Sequence, residues 1–238
     1  MKPIVSVLMS VFNSEEFLED SINSILNQTF KEFEFLIIND GSTDKSEDII
    51  KKFMKFDKRI RYIKQNNIGL TKSLNKGIKI AEGTLIARQD ADDISNYNRL
   101  ETQIKVFENR HVDLCCSRTW LIEQKRKSPR LTYYLPKSLI LLIKNPFIHG
   151  TFLIKKNSLD ELGGYDENFY YSQDYKLICD FFIKKYKIVY LNDVLYRSRL
   201  NTNGISFLRR EEQKLYANNA RNFYRSRYFK MLKLYNRG

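Results

Sequence analysis

Along residues 4–93 the apolar positions alternate between short unbroken runs and longer stretches with helical spacing. Ile4 to Val11, Phe33 to Ile38, Ile60 to Ile63 and Leu85 to Ala87 are short and continuous, as in strands buried on both faces. Between them, Phe17, Leu18, Ile22, Ile25 and Leu26 recur at helical spacing, as do Ile49, Ile50, Phe53 and Met54. Leu70 to Ala81 forms a third such stretch, stopped by Gly83. Ser14-Glu15-Glu16 opens the first helix and Asp44 caps the second. Four strands alternating with three helices predict a parallel, doubly wound α/β sheet. Ligands of such sheets bind beyond the C-terminal ends of the strands. Three polar clusters fall there: Phe12-Asn13, Asp40 at the start of a turn, and Asp90-Ala91-Asp92-Asp93.

After residue 95 the pattern is mixed. Helices are expected near 97–109, 137–144 and 174–185, with strands near 112–118, 151–155 and 187–191 and a turn at Gly163-Gly164-Tyr165-Asp166-Glu167. Residues 207–235 read as one long helix, with apolar residues from Leu208 to Tyr235 returning every three to five positions.

The 238 residues suffice for one α/β domain with a real core. A net charge of +13 points to an anionic partner: nucleic acid, an anionic membrane or a phosphorylated ligand. No RNA-recognition or zinc pattern is present, and aspartates at strand ends would repel phosphates, so nucleic acid is not the expected partner. Cys115, Cys116 and Cys179 fit no zinc spacing and read as buried, inert thiols in a reduced compartment. Residues 4–11 are too short to span a bilayer and lack a signal-peptide layout, so a cytoplasmic location is expected. Neither a G-x-x-x-x-G-K-[ST] nor a G-x-G-x-x-G motif occurs, which argues against P-loop and dinucleotide enzymes. The missing serine elbow argues against a hydrolase built on one.

Three carboxylates within four residues, Asp90, Asp92 and Asp93, repel one another unless a cation sits among them or some protonate. A hard divalent ion shared with substrate phosphates fits them, and a solvated acidic turn is the alternative. Asp40 could accept from a ribose hydroxyl or a base N–H, or simply initiate its turn. Asp174, at a helix start, could be a general base, or a first-turn acid favoured by the helix dipole. His149 reads first as a hydrogen-bonded structural residue.

In order along the chain, the following segments resemble the inverting glycosyltransferase family 2. They are Val5 to Asn13, Asn27-Gln28-Thr29-Phe30, Ile38 to Asp44, Asn75-Lys76-Gly77, Ala87 to Asp93, Gly163 to Asp166, Gln173-Asp174-Tyr175 and Tyr196-Arg197. The resemblance covers roughly residues 3–206. It is strongest to bacterial enzymes of lipooligosaccharide, capsule or exopolysaccharide synthesis. It implies a GT-A fold, with a Rossmann-like, mostly parallel central sheet flanked by helices and a C-terminal helical extension. It further implies a nucleotide-binding half (1–93) and an acceptor-binding half (94–206). By the same resemblance, Ser10, Val11, Phe12, Asn13 and Asp40 hold the uridine of a UDP-sugar, and Asp92 ligates Mn²⁺ or Mg²⁺ with Asp90 and Asp93 beside it. Asp174 is the base, and His149 and Gln173 line the acceptor site. Arg88 and Lys72 face the diphosphate or remain solvated.

Three positions depart from the family pattern. Gln173 stands where a glutamate is common and Phe12 where a tyrosine is. Arg199 stands where many members carry a histidine that can complete the metal shell; a guanidinium cannot ligate a metal and is expected on the diphosphate instead. A metal-independent or non-catalytic relative and a sugar-phosphate nucleotidyltransferase are the alternatives, although the latter normally has a Gly-rich basic loop where Phe12-Asn13-Ser14-Glu15 stands.

Residues 207–238 carry nine Lys or Arg against two Glu, interleaved with Tyr and Phe. A helix of this kind lies on an anionic leaflet, at the inner face of the cell membrane beside a lipid-linked acceptor. Alternatively it docks on the catalytic domain or on a second subunit, giving a homodimer.

Overall fold

The computed structural model describes residues 2–235 apart from Arg110 and Asn203. Its first half runs β1 (Val5–Val11), α1 (Leu18–Leu26), β2 (Phe33–Asp40), α2 (Ser46–Met54), β3 (Ile60–Gln65), α3 (Leu70–Ile80) and β4 (Leu85–Arg88). These are the four strands and three helices that the apolar rhythm predicts. The second half runs β5 (Ile94–Ser95), α4 (Arg99–Asn109), β6 (Leu114–Leu121), β7 (Arg126–Ser128), α5 (Lys137–Ile140), β8 (Leu153–Lys155), α6 (Lys156–Leu162), α7 (Gln173–Ile183), β9 (Ile188–Ser198), α8 (Ile205–Leu208) and α9 (Arg210–Tyr235).

One sheet orders the strands β3-β2-β1-β4-β8-β6-β9-β5, with β7 hairpinned onto β6. The expected parallel core is β3-β2-β1-β4. Antiparallel pairing enters at β8, which sits between β4 and β6, and at the β5 and β7 margins. The whole sheet is therefore mixed. Both faces are covered, which is why the central strands read as unbroken apolar runs. Val5, Val7, Met9, Phe35 and Ile37 face α1, α2 and α4, whereas Leu8, Leu36 and Ile38 face α3 and the C-terminal helices. Side chains alternate between faces with the period of two that a strand imposes.

The differences from expectation have local causes. β9 runs to Ser198 rather than stopping near 191, because Asn192 and Asp193 are bulged out of its pairing with Ser117 and Arg118. That bulge puts two polar residues mid-strand and hides the strand from an apolar pattern. The seven residues of α6 are too few to show a helical period, and β7 is a polar edge strand. The long C-terminal helix does form, and it docks inward. Ala220 and Tyr224 are fully buried among Cys179, Phe181 and their neighbours, with Phe223 and Tyr228 packed alongside. Among the described residues no helix is long and apolar enough to cross a membrane.

Candidate active site

The loops after β1 and β2 are tied together. Asn13, in the left-handed region (φ 47°), donates its backbone N–H to Ser42 Oγ (3.1 Å) and accepts the Thr43 N–H on Oδ1 (2.8 Å). Beside it Phe12 is exposed, Ser10 half-buried and Val11 buried. Asp40 ends β2. It is 2% exposed, and its carboxylate is taken by the protein: Gln65 Nε2 (2.7 Å) and the Ile68 N–H (2.9 Å) donate to Oδ1, the Gly69 N–H (2.9 Å) to Oδ2. With these three donors it shapes the loop into α3. Gly69 (φ 89°) starts that helix with Tyr170 pressed against it; a Cβ there would lie 2.5 Å from the ring. Lys72 is exposed in the first turns of α3.

The acidic turn after β4 is held from below. Gln89, fully buried, donates through Nε2 to the carbonyls of Asp90 and Asp93 (both 3.0 Å) and to Ser21 Oγ (3.0 Å). Ser21 Oγ donates to the Asp90 carbonyl (2.7 Å), and the Asp90 N–H donates to the hydroxyl of buried Tyr196 (3.1 Å). Beneath this, buried Arg99 donates to the carbonyls of Arg88 (2.8 Å) and Phe152 (3.3 Å) and to Ser95 Oγ (2.8 Å). A turn wired this way presents its carboxylates in fixed directions.

Those directions differ. Asp90 accepts from Arg88 Nη2 (2.6 Å). Asp92 accepts from Asn201 Nδ2 (3.0 Å), which arrives from the segment after β9. Asp93 turns inward and accepts the Arg199 N–H (2.8 Å). Burial and the Asp90 charge raise the Asp92 pKa. Burial and the charges of Asp90 and Asp92 hold Asp93 well above the usual carboxylate range. Among the described residues no three acidic, His or Cys side chains converge on a metal position. The three aspartates thus do not make an all-protein cage. A half-buried Asp92 crowded by a like charge does fit a hard cation that takes its remaining ligands from phosphates, the usual Mg²⁺ arrangement.

The two arginines expected at a diphosphate are occupied within the protein. Arg88 is buried, paired with Asp90 and bonded through Nη1 to the carbonyls of Leu8 (3.2 Å) and Gln89. Arg199 Nη2 pairs with Asp20 on α1 (2.6 Å), and its guanidinium stacks on Phe17.

Asp174 sits in the first turn of α7, after Ser172 in the left-handed region (φ 54°). Burial, opposed by hydrogen bonds at the helix start and from Asn145, leaves its pKa pushed up to about 6; the Asp90 charge adds to the rise. Asn145 Nδ2 donates to Asp174 Oδ2 (2.8 Å) while Asn145 Oδ1 accepts the Phe147 N–H (3.0 Å). The second bond fixes which end of the amide faces the carboxylate. Gln173 is buried beside it. His149 Nε2 meets the Tyr165 hydroxyl (2.7 Å). Burial and the nearby Arg88 charge push the His149 pKa down to about 3, so the ring stays neutral. The next residue, Gly150, abuts the acidic turn: a Cβ there would lie 2.4 Å from the Tyr196 hydroxyl and 2.7 Å from Asp90 Oδ2. Asn145 and Asn201 carry no motif and come to the site only through the fold, while Tyr165 and Tyr196 lie in segments that resemble the family but assign them no role.

Residues 6–178 match the family described as "Glycosyl transferase family 2". An uncharacterized glycosyltransferase of Methanocaldococcus jannaschii is 36% identical over 225 residues, covering 91% of this chain and 77% of that protein. The fold is similar to that of S. aureus TarS in complex with UDP-GlcNAc (TM-score 0.72, 22% identity, 84% of this chain and 59% of that one). It is also similar to that of the mannosyltransferase PcManGT from Pyrobaculum calidifontis in complex with GDP-Man and Mn²⁺ (TM-score 0.71, 17% identity, 88% and 60%). The chain thus spans about three fifths of the length of these two neighbours. Their likeness establishes the expected GT-A fold, with its curled mixed sheet flanked by helices.

Proposed function

Because the chain belongs to glycosyl transferase family 2, we propose that it moves a sugar from a UDP-sugar onto an acceptor hydroxyl, with inversion at the anomeric carbon. N-acetylhexosamine, galactose and glucose are the sugars in view, and the acceptor is a cell-surface polysaccharide or lipooligosaccharide. Residues 1–93 form the donor half and 94–206 the acceptor half. The single observation that carries this reading is Asp174: a carboxylate at the start of α7, held by Asn145 Nδ2 (2.8 Å) and near enough to Asp90 for that charge to add to the rise of its pKa to about 6.

The chemistry follows from that placement. The acceptor hydroxyl transfers its proton to Asp174 as its oxygen bonds to the anomeric carbon. The bond from that carbon to the diphosphate oxygen breaks on the opposite face, and the electron pair leaves with UDP. Asp92 is the residue we assign to a divalent cation, with Asp90 beside it; such an ion, when bound, supplies a Lewis acid for the charge of the leaving diphosphate. Asp93, Gln89 and Arg99 keep the turn rigid, so that its dipoles are preorganised. Ser10 to Asn13 border the uridine, Asp40 holds the loop behind it, and Lys72 is the exposed cation near the diphosphate. Gln173 and the neutral His149–Tyr165 pair border the acceptor.

The test is transfer by Asp174→Asn against a panel of UDP-sugars. Loss of a proton acceptor lowers turnover by about 10²–10⁴-fold, while UDP affinity stays as in the wild type. Undiminished transfer by the variant would remove Asp174 from the mechanism; failure of the wild type to use any UDP-sugar would remove the donor assignment.

A further inference from the structure

The stretch from Leu131 to Ile143 is apolar and faces outward. Leu131, Tyr134 and Ile143 are 81%, 72% and 65% exposed, and Leu135 and Leu139 are about half exposed. The short helix α5 (Lys137–Ile140) continues into turns, with the Leu141 N–H bonded to Lys137 O and the Lys144 N–H to Ile140 O. Leu139 and Ile143, four residues apart, lie on one face of this turn of chain, and with exposed Leu131, Tyr134 and Leu135, which precede the helix, they form an apolar ridge. Ile140 and Leu141 point inward and are buried, Leu141 within the core cluster. The ridge is built firmly. Lys137 Nζ donates to the carbonyls of Thr132, Tyr133 and Leu135. From α9, Arg225 Nε and Arg221 Nη1 donate to the carbonyls of Leu142 (2.8 Å) and Ile143 (3.1 Å).

Charge identifies the occupant. Between Glu123 and Asp160 the sequence holds eight Lys or Arg and no Asp or Glu. Arg130 and Lys144 flank the ridge as exposed cations, and Arg221 and Arg225 reach its end. A second copy of this chain would bring the same cations against themselves. An anionic lipid surface accepts both features, since side chains of this kind enter the headgroup boundary while cations meet lipid phosphates.

We propose that this ridge is the surface by which the protein rests on an anionic bilayer, and that it leads a lipid-linked acceptor to the site. The second half rests on the function proposed for Asp174. The route is short: Ile143 is two residues from Asn145, whose amide holds Asp174. This places lipid contact on the acceptor side of the site, with α9 bracing it from behind. The apolar face of α9 is already used against α7.

The experiment is sedimentation of the full chain with vesicles of phosphatidylcholine alone or mixed with phosphatidylglycerol. The wild type binds the mixed vesicles and leaves them as salt rises. Leu135→Asp/Leu139→Asp lowers partitioning by roughly 30-fold or more, and Arg130→Gln/Lys144→Gln by at least about tenfold. Both variants melt as the wild type does, because the replaced side chains are exposed, and both retain transfer to a short soluble saccharide. Equal binding of the wild type to both vesicle types would overturn the proposal. So would undiminished binding of the leucine variant, or a wild-type dimer that this variant dissociates. Vesicle binding is read without turnover, so an error about Asp174 appears only in the transfer assay.

Discussion

A general base working near neutral pH must be desolvated enough to hold a proton, yet wet enough to release it. In the proposed mechanism Asp174 meets both demands through burial, opposed by a helix N-terminus and Asn145. Turnover should rise with pH through a limb centred near 6, read from kcat/KM between pH 5 and 8. The raised pKa also has a stability sign. The folded state holds this proton more tightly than the unfolded chain, so the group's contribution is full below about pH 4 and is lost as pH rises through about 6. Asp174→Asn should therefore melt above the wild type at pH 8, by about 1–2 kcal/mol or a few degrees, with the gap closing towards pH 4. Gly150→Ala should act oppositely, because its methyl would push on Tyr196 and Asp90. It should cost about 1–3 kcal/mol and lower affinity for UDP, measured by melting and calorimetry. At this scale the sequence disclosed residues whose type is itself chemical, such as Asp174 and the acidic turn. It concealed Asn145 and the role of Tyr165, which depend on partners 29 and 16 residues away. Nor does anything local reveal that Gly69 would donate to Asp40 or that Arg199 would pair with Asp20.

At the scale of elements, the glycine of Asn75-Lys76-Gly77 has a physical reason. A Cβ at Gly77 would lie 2.1 Å from Leu8 Cδ1, so a side chain there would have to displace the buried Leu8 methyls where α3 packs on β1. Gly77→Ala should destabilise the fold by about 1–3 kcal/mol, a fall of several degrees in Tm. Asn75 works beside it, accepting the Tyr165 N–H (2.8 Å) and donating to Tyr165 O (2.8 Å), which ties α3 to the turn at 163–167. Elements buried on both faces, such as β1 and β2, were legible because a short, unbroken apolar run bounded by turn residues suits a strand covered on both sides. β5, β7 and the far half of β9 were not. They are short, polar or bulged, and are strands only because a partner strand lies beside them.

For the whole molecule, the charge surplus divides between two neighbouring places: the acid-free stretch from Glu123 to Asp160 and the C-terminal helix. The helix braces the fold. Removing residues 209–238 would uncover Cys179, Tyr175 and Phe181, where Ala220 and Tyr224 now sit. The shortened chain should melt well below the full one and bind a hydrophobic dye. A shortened chain that melts normally would contradict that role. The central claim is narrower: the strand-end site takes a UDP-sugar through a cation on Asp92. It is tested most directly by calorimetric titration of UDP, with and without Mn²⁺, into wild type and Asp92→Asn. The account predicts Mn²⁺-dependent binding that the variant loses. Equal affinity with and without the ion, retained in the variant, would contradict it and return the diphosphate to cations such as Lys72.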